Sequence, residues 1–121
     1  MTPEELKKRL HAFGLRIVKL ASALPHGRIG GVFTRQLVRC GTSVAANYRA
    51  ACRGRSRSEF VAKLGIVEEE ADETLFWIET ACDSGLVKRP LVEPLHAEGK
   101  EILAIVVASR KTAKRPKPVE P

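Results

Sequence analysis

Apolar residues recur near the start of the chain at alternating spacings of four and three. This seam predicts one helix that packs along its whole length against nearly parallel neighbours. Thr2, Pro3 and Glu5 predict its start as a capping box with proline in the first turn. The run from Pro25 to Gly27 predicts its end. The seam consists of Leu6, Leu10, Phe13, Ile17, Leu20 and Leu24.

Two further helices are predicted by similar apolar stripes. The second runs from near Gly30 to about Arg53. The third opens with another capping box, Ser56 with Glu59, and ends near Gly85, where a left-handed residue commonly terminates a helix. The expected core residues are Phe33, Leu37, Cys40, Val44, Ala51, Phe60, Leu64, Val67, Ala71, Leu75, Ile78 and Cys82, with Asn47 and Tyr48 at the margin of the stripe.

A fourth helix is predicted from around Pro90 to Lys111 or Ala113. Pro94 inside it predicts either an irregular first turn or a later start of the regular helix. The chain shows no strand-like alternation, no hairpin signal and no internal repeat. The sequence therefore predicts an all-α fold, an antiparallel up-down-up-down four-helix bundle.

The chain has 121 residues, the length of a single domain that can bury a core without disulfides or metals. The bundle is assigned to residues 1–113, and the charged, proline-rich residues 114–121 are expected to be a disordered tail. The N-terminus is too polar for a signal peptide, and the longest apolar run, residues 102–108, is too short for a membrane span. We expect a cytoplasmic protein that does not contact membranes.

The net charge of +7 is distributed unevenly along the chain. Residues 1–58 contain 12 basic and 2 acidic side chains, whereas residues 59–108 contain 4 basic and 11 acidic ones. Residues 109–121 contain 5 basic and 1 acidic. This asymmetry indicates a polyanionic partner, complementary contacts between the halves or between subunits, or both.

Four arginines form a row along the second helix. Arg35, Arg39, Arg49 and Arg53 fall within about 80° of one another on a helical wheel, opposite the core stripe. No acidic residue occurs in this helix. The row is either an ordinary solvated face or a surface whose charge is balanced by an anion or an acidic neighbour, and the sequence leaves both open.

A second stripe on the third helix offers such a neighbour. Ile66, Glu70, Glu73 and Trp77 follow at spacings of four, three and four. Either the two carboxylates pair with arginines inside one bundle, or Trp77 and Ile66 anchor a contact between subunits. The apolar residues of the fourth helix, Ile105 among them, cover about 200° of its circumference, wider than one bundle face requires. We therefore expect a homo-oligomer.

The sequence contains no pattern typical of an active site. The three histidines are isolated, no His or Cys pair has metal-ligand spacing, and no phosphate-binding glycine motif occurs. The acids of the third helix lack the Glu-x-x-His pattern of carboxylate metal sites in bundles. We expect no catalytic residues, no metal and no cofactor.

Residues 43–77 carry a set of motifs in a fixed order. A Ser-Val-x-x-Asn segment precedes an Arg- and Ser-rich turn, a Glu-Phe segment with Lys-Leu, and a Glu-rich helix that ends near a tryptophan. In this order and spacing, the chain resembles the bacterial four-helix-bundle family of 23S rRNA intervening-sequence proteins over nearly its full length. The segments are residues 43–47, 53–58, 59–64 and 69–77.

The resemblance implies an up-down bundle that assembles into a ring, with a pentamer favoured, around a basic central channel. It also implies a link to ribosomal RNA or to RNA in general. A related bundle, the accessory variability determinant of diversity-generating retroelements, binds nucleic acid and a reverse transcriptase. This chain departs from the family pattern at Ala50, where many relatives carry an acid.

These observations together favour a non-enzymatic oligomer that binds RNA or DNA backbone through basic side chains. The expected contacts are Arg35, Arg39, Arg49, Arg53, Arg55, Arg57, Lys111, Lys114 and Arg115. Asn47 is expected to satisfy partners between helices. The residues expected to serve packing and assembly are Ile66, Glu70, Glu73, Trp77 and Ile105. The alternative is a protein-interaction scaffold or adaptor that binds no nucleic acid, because its arginines pair with its own carboxylates.

Overall fold

The computed structural model describes residues 1–115, and over these residues the chain is all-α, as predicted. The part of the expected tail beyond residue 115 lies outside the described residues. Lys114, assigned to that tail, still belongs to the last helix. The helices are α1 (Pro3–Ala23), α2 (Arg28–Cys52), α3 (Arg57–Asp83) and α4 (Arg89–Lys114).

The helix starts follow local capping chemistry. At α1 the Thr2 hydroxyl accepts from the Glu5 backbone N–H (3.1 Å), and the Glu5 carboxylate accepts from the Thr2 N–H (2.9 Å). At α3 the Ser56 hydroxyl accepts from the Glu59 N–H (3.1 Å), but the Glu59 carboxylate accepts from the N–H of Arg55. The second capping box is therefore displaced by one residue, and both starts lie where the sequence predicts them.

Pro94 does not interrupt α4, and of the two alternatives predicted for this proline the structure shows the irregular first turn and not a later start. The first turn is tightened, because the Leu91 N–H donates to the Lys88 carbonyl three residues earlier (3.1 Å). A second proline, Pro90, lies in the first turn, where a missing N–H costs nothing.

Contacts between consecutive helices pair the end of one with the start of the next, so consecutive helices run antiparallel. Thr34 donates to the Ala21 carbonyl (3.3 Å), which places the start of α2 beside the end of α1. For α3 and α4, Glu79 contacts His96 (2.9 Å) and the Val61 carbonyl accepts from Arg110 (3.3 Å). Between α2 and α3, Phe33 near the start of one helix contacts Trp77 near the end of the other. As a result, the α1 and α3 starts lie at the same end of the bundle as the α2 and α4 ends.

The predicted core stripes are largely buried. Tyr48, expected at the margin, is only 4% exposed, and Thr74 is also buried, with its hydroxyl donating to the Glu70 carbonyl (2.7 Å). Leu20 and Phe60 are half-buried. α1 and α2 approach closely at Gly41, where an added Cβ would lie 2.5 Å from Ile17 Cγ2.

An ion pair joins the first and last helices, α1 and α4. The Arg9 guanidinium donates two hydrogen bonds to the Glu98 carboxylate (2.8 and 2.7 Å) and lies 3.1 Å from Glu101. Hydrogen bonding by Arg9 lowers the pKa of Glu98 below its ordinary value. This bidentate pair, only about one-fifth exposed on either side, ties α4 to α1.

Candidate nucleic-acid interface

The arginines of the α2 row lie in different environments. Arg39 reaches across to α3, where its guanidinium lies 3.3 Å from Glu70 and closer still to Glu73. Hydrogen bonding to Glu73 raises the pKa of Arg39. The carboxylates of the second stripe thus pair with an arginine inside one bundle, one of the two arrangements that the sequence left open.

Arg49 lies on the opposite flank of the row and faces α1. It lines a cavity of about 400 Å³ between α1 and α2 together with Lys7, Lys8 and His11. No carboxylate is among the residues that line this cavity. At about 100° per residue, Arg39 and Arg49 point about 80° apart, which is why they meet different helices.

Three exposed arginines lie where α2 passes into α3: Arg53 and Arg55 are in the turn, and Arg57 is the first residue of α3. None of their side chains forms an ion pair with residues 1–115. The nearest acid in sequence, Glu59, is engaged by the Arg55 backbone N–H. These three charges are therefore presented to solvent.

The last turn of α4 lies beside the start of α3 and adds to the same end. The Arg110 guanidinium donates to the Val61 carbonyl and lies over Gly65, 3.1 Å from where its Cβ would be. A surface cavity lined by Met1, Phe60 and Thr112, among others, shows that the start of α1 is also there. We call this region the cationic end and define it by its exposed residues Arg49, Arg53, Arg55, Arg57, Lys111, Lys114 and Arg115.

The acidic side chains of this region are engaged locally. Glu4 pairs with Lys7 (2.9 Å), and this hydrogen bond lowers the pKa of Glu4. Glu5 and Glu59 serve the helix starts described above, and Glu68 lies 3.5 Å from Arg110. The cationic end therefore keeps a net positive surface that nearby carboxylates do not neutralise.

Arg35 lies away from the cationic end. It is 18 residues from Arg53 along α2, which corresponds to about 27 Å at 1.5 Å per residue. Its side chain is exposed and folds back toward Gly31. Of the nine basic residues singled out from the sequence, the structure brings seven together and separates Arg35 and Arg39 from them.

The residues expected to serve assembly occupy different positions. The Trp77 ring lies edge-on to Phe33 and Phe76, with ring centroids 5.2 Å apart in each pair. It is half-buried within the bundle, and its Nε1 is buried without a hydrogen-bond partner among the described residues. Ile66 is 37% exposed, and Ile105 packs against the core while remaining partly accessible.

Asn47 bonds within its own helix. Its side-chain amide donates to the Ser43 carbonyl one turn earlier (2.9 Å). This donor therefore does not bond to another helix, contrary to the expectation from the sequence. The contact satisfies a half-buried polar group without help from a neighbouring helix.

Sequence reasoning missed several exposed residues. Phe76 is 55% exposed, more than its neighbour Trp77, and lies on the solvent side of α3. Lys7, Lys8 and His11 of α1 also escaped notice, because only the packing of α1 on α2 brings them beside Arg49. Phe76 follows Glu69 by seven residues, so the two lie on the same face of the predicted helix. This spacing could have indicated that the Phe76 ring is exposed.

Within residues 1–115, no group of three or more His, Cys, Asp and Glu side chains is placed to hold a metal ion. The cysteines Cys40, Cys52 and Cys82 are free thiols, and burial raises the pKa of Cys40. No helix in this part of the chain is both long and apolar enough to cross a membrane.

The fold and the surface define a small all-α protein of the four-helix-bundle class with a strongly basic end. The family model described as 23S rRNA-intervening sequence protein matches residues 4–108, and the chain belongs to that family. The family resemblance seen in the sequence is thereby confirmed.

A solved structure shows the same arrangement of helices. It is a protein of unknown function from the S23 ribosomal protein family of Bacteroides thetaiotaomicron, 32% identical to this chain. The match covers 92% of this chain and 99% of that chain, with a TM-score of 0.84. Comparison with curated proteins found no match.

Proposed function

We propose that this protein is a non-enzymatic homo-oligomer that binds the backbone of RNA or DNA through its cationic end. One observation carries the proposal. Seven exposed basic side chains from three helices and the residues that flank them gather at one end of the bundle, and within residues 1–115 none of them forms an ion pair.

Such a surface suits phosphates better than bases. Arginine and lysine donors neutralise the backbone and release its counterions, which makes binding strong at low salt and weak at high salt. The described cationic end contains no exposed aromatic ring on which a base would stack, so we expect little sequence preference.

The family supports RNA as the nucleic acid, since its name refers to an intervening sequence of 23S rRNA. The resemblance further supports a pentameric ring with a basic channel, and we include both in the proposal. We also place the protein in the cytoplasm, where ribosomal RNA is found, and assign it no metal, cofactor or membrane contact.

The set of binding residues is narrower than the one that the sequence suggested. Arg39 is left out because two carboxylates already accept its hydrogen bonds. Arg35 is left out because it lies about 27 Å along α2 from Arg53. Each remaining residue is free to contact a phosphate without breaking an internal pair.

A protein-interaction scaffold is the second candidate function, and two observations favour it. Arg39 is paired with its own bundle's acids, as that hypothesis requires. Leu15 and Phe76 expose more than half of their apolar side chains, as expected for residues that contact another protein.

A salt titration of binding to a single-stranded homopolymeric RNA separates the two functions. If the cationic end binds phosphates, log Kd should rise linearly with log salt, with a slope of about 0.7 per neutralised phosphate. Four to seven contacts would give a slope of about 3 to 5. Negligible binding at about 50 mM salt, with assembly intact, would refute nucleic-acid binding and leave the scaffold.

A further inference from the structure

We infer that the exposed side of α3 docks into the groove between α1 and α2 of a second copy of this chain, head to tail. The contact joins an acidic and aromatic surface of one copy to a basic and apolar surface of the next. The inference rests on the homo-oligomer proposed above and assigns the two faces through which its copies meet.

The α1–α2 groove is one continuous surface. Two adjoining cavities share His11, Thr42 and Ala45, and together they extend from Arg49 to Val18. The floor is made of small residues. The walls change character along the groove, from basic (Lys7, Lys8, Arg49) to apolar (Leu15 and Val18, 58% and 38% exposed).

The outer face of α3, defined by Glu69, Asp72 and Phe76, lies opposite the buried stripe of that helix. Phe76 is 55% exposed, although it is one of the larger apolar side chains of the protein. Glu69 and Asp72 are exposed and form no ion pair with residues 1–115, unlike Glu70 and Glu73 on the flank. Within residues 1–115, one face therefore carries two acids that form no ion pair and an aromatic ring that is more than half exposed beside Trp77.

The two surfaces match in register. Lys8, His11 and Leu15 of α1 are spaced by three and four residues. The residues of the outer face of α3 are spaced by three and four in the same order, acid, acid and aromatic ring. At 1.5 Å per residue each series spans about 10 Å, so α3 laid parallel to α1 places Glu69 by Lys8 and Phe76 on Leu15.

The direction of the helices supports a ring. α1 and α3 run in the same direction within each chain, because consecutive helices are antiparallel. Rotation of copies about an axis along the bundle keeps this direction, so α3 of one copy meets α1 of the next in the parallel orientation that the register requires. A contact between two different faces gives a ring where the rotation between copies closes, and it does not give a two-fold dimer.

The head-to-tail contact also determines where the cationic ends of the copies lie. In such a ring every bundle points the same way, so the cationic ends of all copies lie on one side of the assembly. The positive field there is multiplied by the number of copies. Arg49 belongs both to the groove and to the cationic end, and the other six basic residues of that end lie outside the contact.

Native mass in solution, measured by light scattering at micromolar concentration, tests the contact. The wild type should be larger than its chain mass of 13.3 kDa. Leu15→Asp and Phe76→Asp should each shift the particle to the monomer mass, because each places a carboxylate in the apolar contact. Leu91→Asp is the matched control, since Leu91 is 74% exposed but lies on α4, and its mass should stay at the wild-type value.

Charge reversal tests the pairing itself. Lys8→Glu and Glu69→Lys should each weaken association at least tenfold, and the two together should restore most of it. Helical content by circular dichroism confirms that every variant folds. The inference is overturned by a monomeric wild type, by an intact oligomer in Leu15→Asp, or by failure of the charge-reversed pair to recover. A monomeric wild type that still binds RNA would overturn this contact and the proposed assembly, and it would leave nucleic-acid binding standing. A wild-type-sized oligomer in Leu15→Asp would overturn this contact alone.

Discussion

Arg39 and Arg53 lie on the same side of α2, about 21 Å apart, and have opposite surroundings. Arg39 faces Glu70 and Glu73 across the α2–α3 contact, whereas Arg53 has no carboxylate partner among the described residues. The two residues are chemically identical and belong to one row in sequence. What separates their roles is the helix that packs beside each of them.

The same contrast holds between the body of the bundle and its cationic end. In the body, arginines join helices, Arg9 to Glu98 between α1 and α4 and Arg39 to Glu70 between α2 and α3. At the cationic end, the nearby acids are used by helix starts and by single pairs, and the arginines remain free. Charges in the body therefore serve the fold, and charges at the end are available to a partner.

Reversal of charge at the cationic end should have the largest effect. Arg53→Glu with Arg55→Glu should weaken binding to single-stranded RNA by about a hundredfold near 50 mM salt, since two phosphate contacts are lost and repulsion replaces them. Fluorescence anisotropy measures the change. The matched control, Arg28→Glu with Arg35→Glu, alters the net charge equally at the other half of α2, and an equal loss there would show that only bulk charge matters.

Reversal of Arg39 should damage stability instead. Arg39→Glu adds a third carboxylate beside Glu70 and Glu73, and we expect a loss of about 1 kcal/mol in the free energy of unfolding, modest because these groups are partly exposed. Urea denaturation measures it. A second change, Glu73→Arg, should recover most of the loss. Unchanged stability together with abolished RNA binding would assign Arg39 to the binding surface after all.

Acid should weaken the body of the bundle through Glu98. Arg9 lowers the pKa of this carboxyl in the folded state, so the pair contributes its stability above the ordinary pKa of 4.5. That contribution, under about 1 kcal/mol, is lost as the pH falls through the lowered folded value. Urea midpoints measured from about pH 6 to pH 3 should fall less steeply in Glu98→Gln. Identical pH profiles for the two proteins would mean that the pair contributes nothing.

Neutral substitutions should show the smallest and most direct contrast. Arg53→Gln should raise the free energy of unfolding at low salt by a few tenths of a kcal/mol, because it relieves repulsion at the cationic end. The thermal midpoint should rise slightly as a result. Arg39→Gln should lower it by a similar amount, because an ion pair is lost. Thermal unfolding at two salt concentrations checks both. If the two variants shift in the same direction, the two arginines do not differ in the way described.

Much of the fold was predictable because its signals are local. Capping residues, apolar spacing and terminating glycines each depend on residues within about one turn of helix. The N-caps Thr2 and Ser56 lie where the sequence predicts them. Pro94 gives an irregular first turn, one of the two outcomes predicted for it, and the helix continues through it. Tyr48 was placed at the margin although its ring packs inward.

The site was less predictable because it depends on which helices meet. The row from Arg35 to Arg53 is present as the sequence predicts. However, the sequence of α2 alone does not indicate that Arg39 pairs with acids of α3 or that Arg49 lies beside lysines of α1. The gathering of Arg57 with Lys111 needs the antiparallel packing of α4 on α3, across more than 50 residues of sequence. Long-range geometry decides such surfaces, and residue spacing alone does not.

Crosslinking of a photoreactive single-stranded RNA to the wild-type protein, followed by peptide mass spectrometry, tests the central claim most directly. We expect crosslinks confined to residues 49–60 and 108–115, with their yield falling steeply as salt is raised. Crosslinks centred on Arg35 and Arg39, or a yield that does not depend on salt, would contradict it.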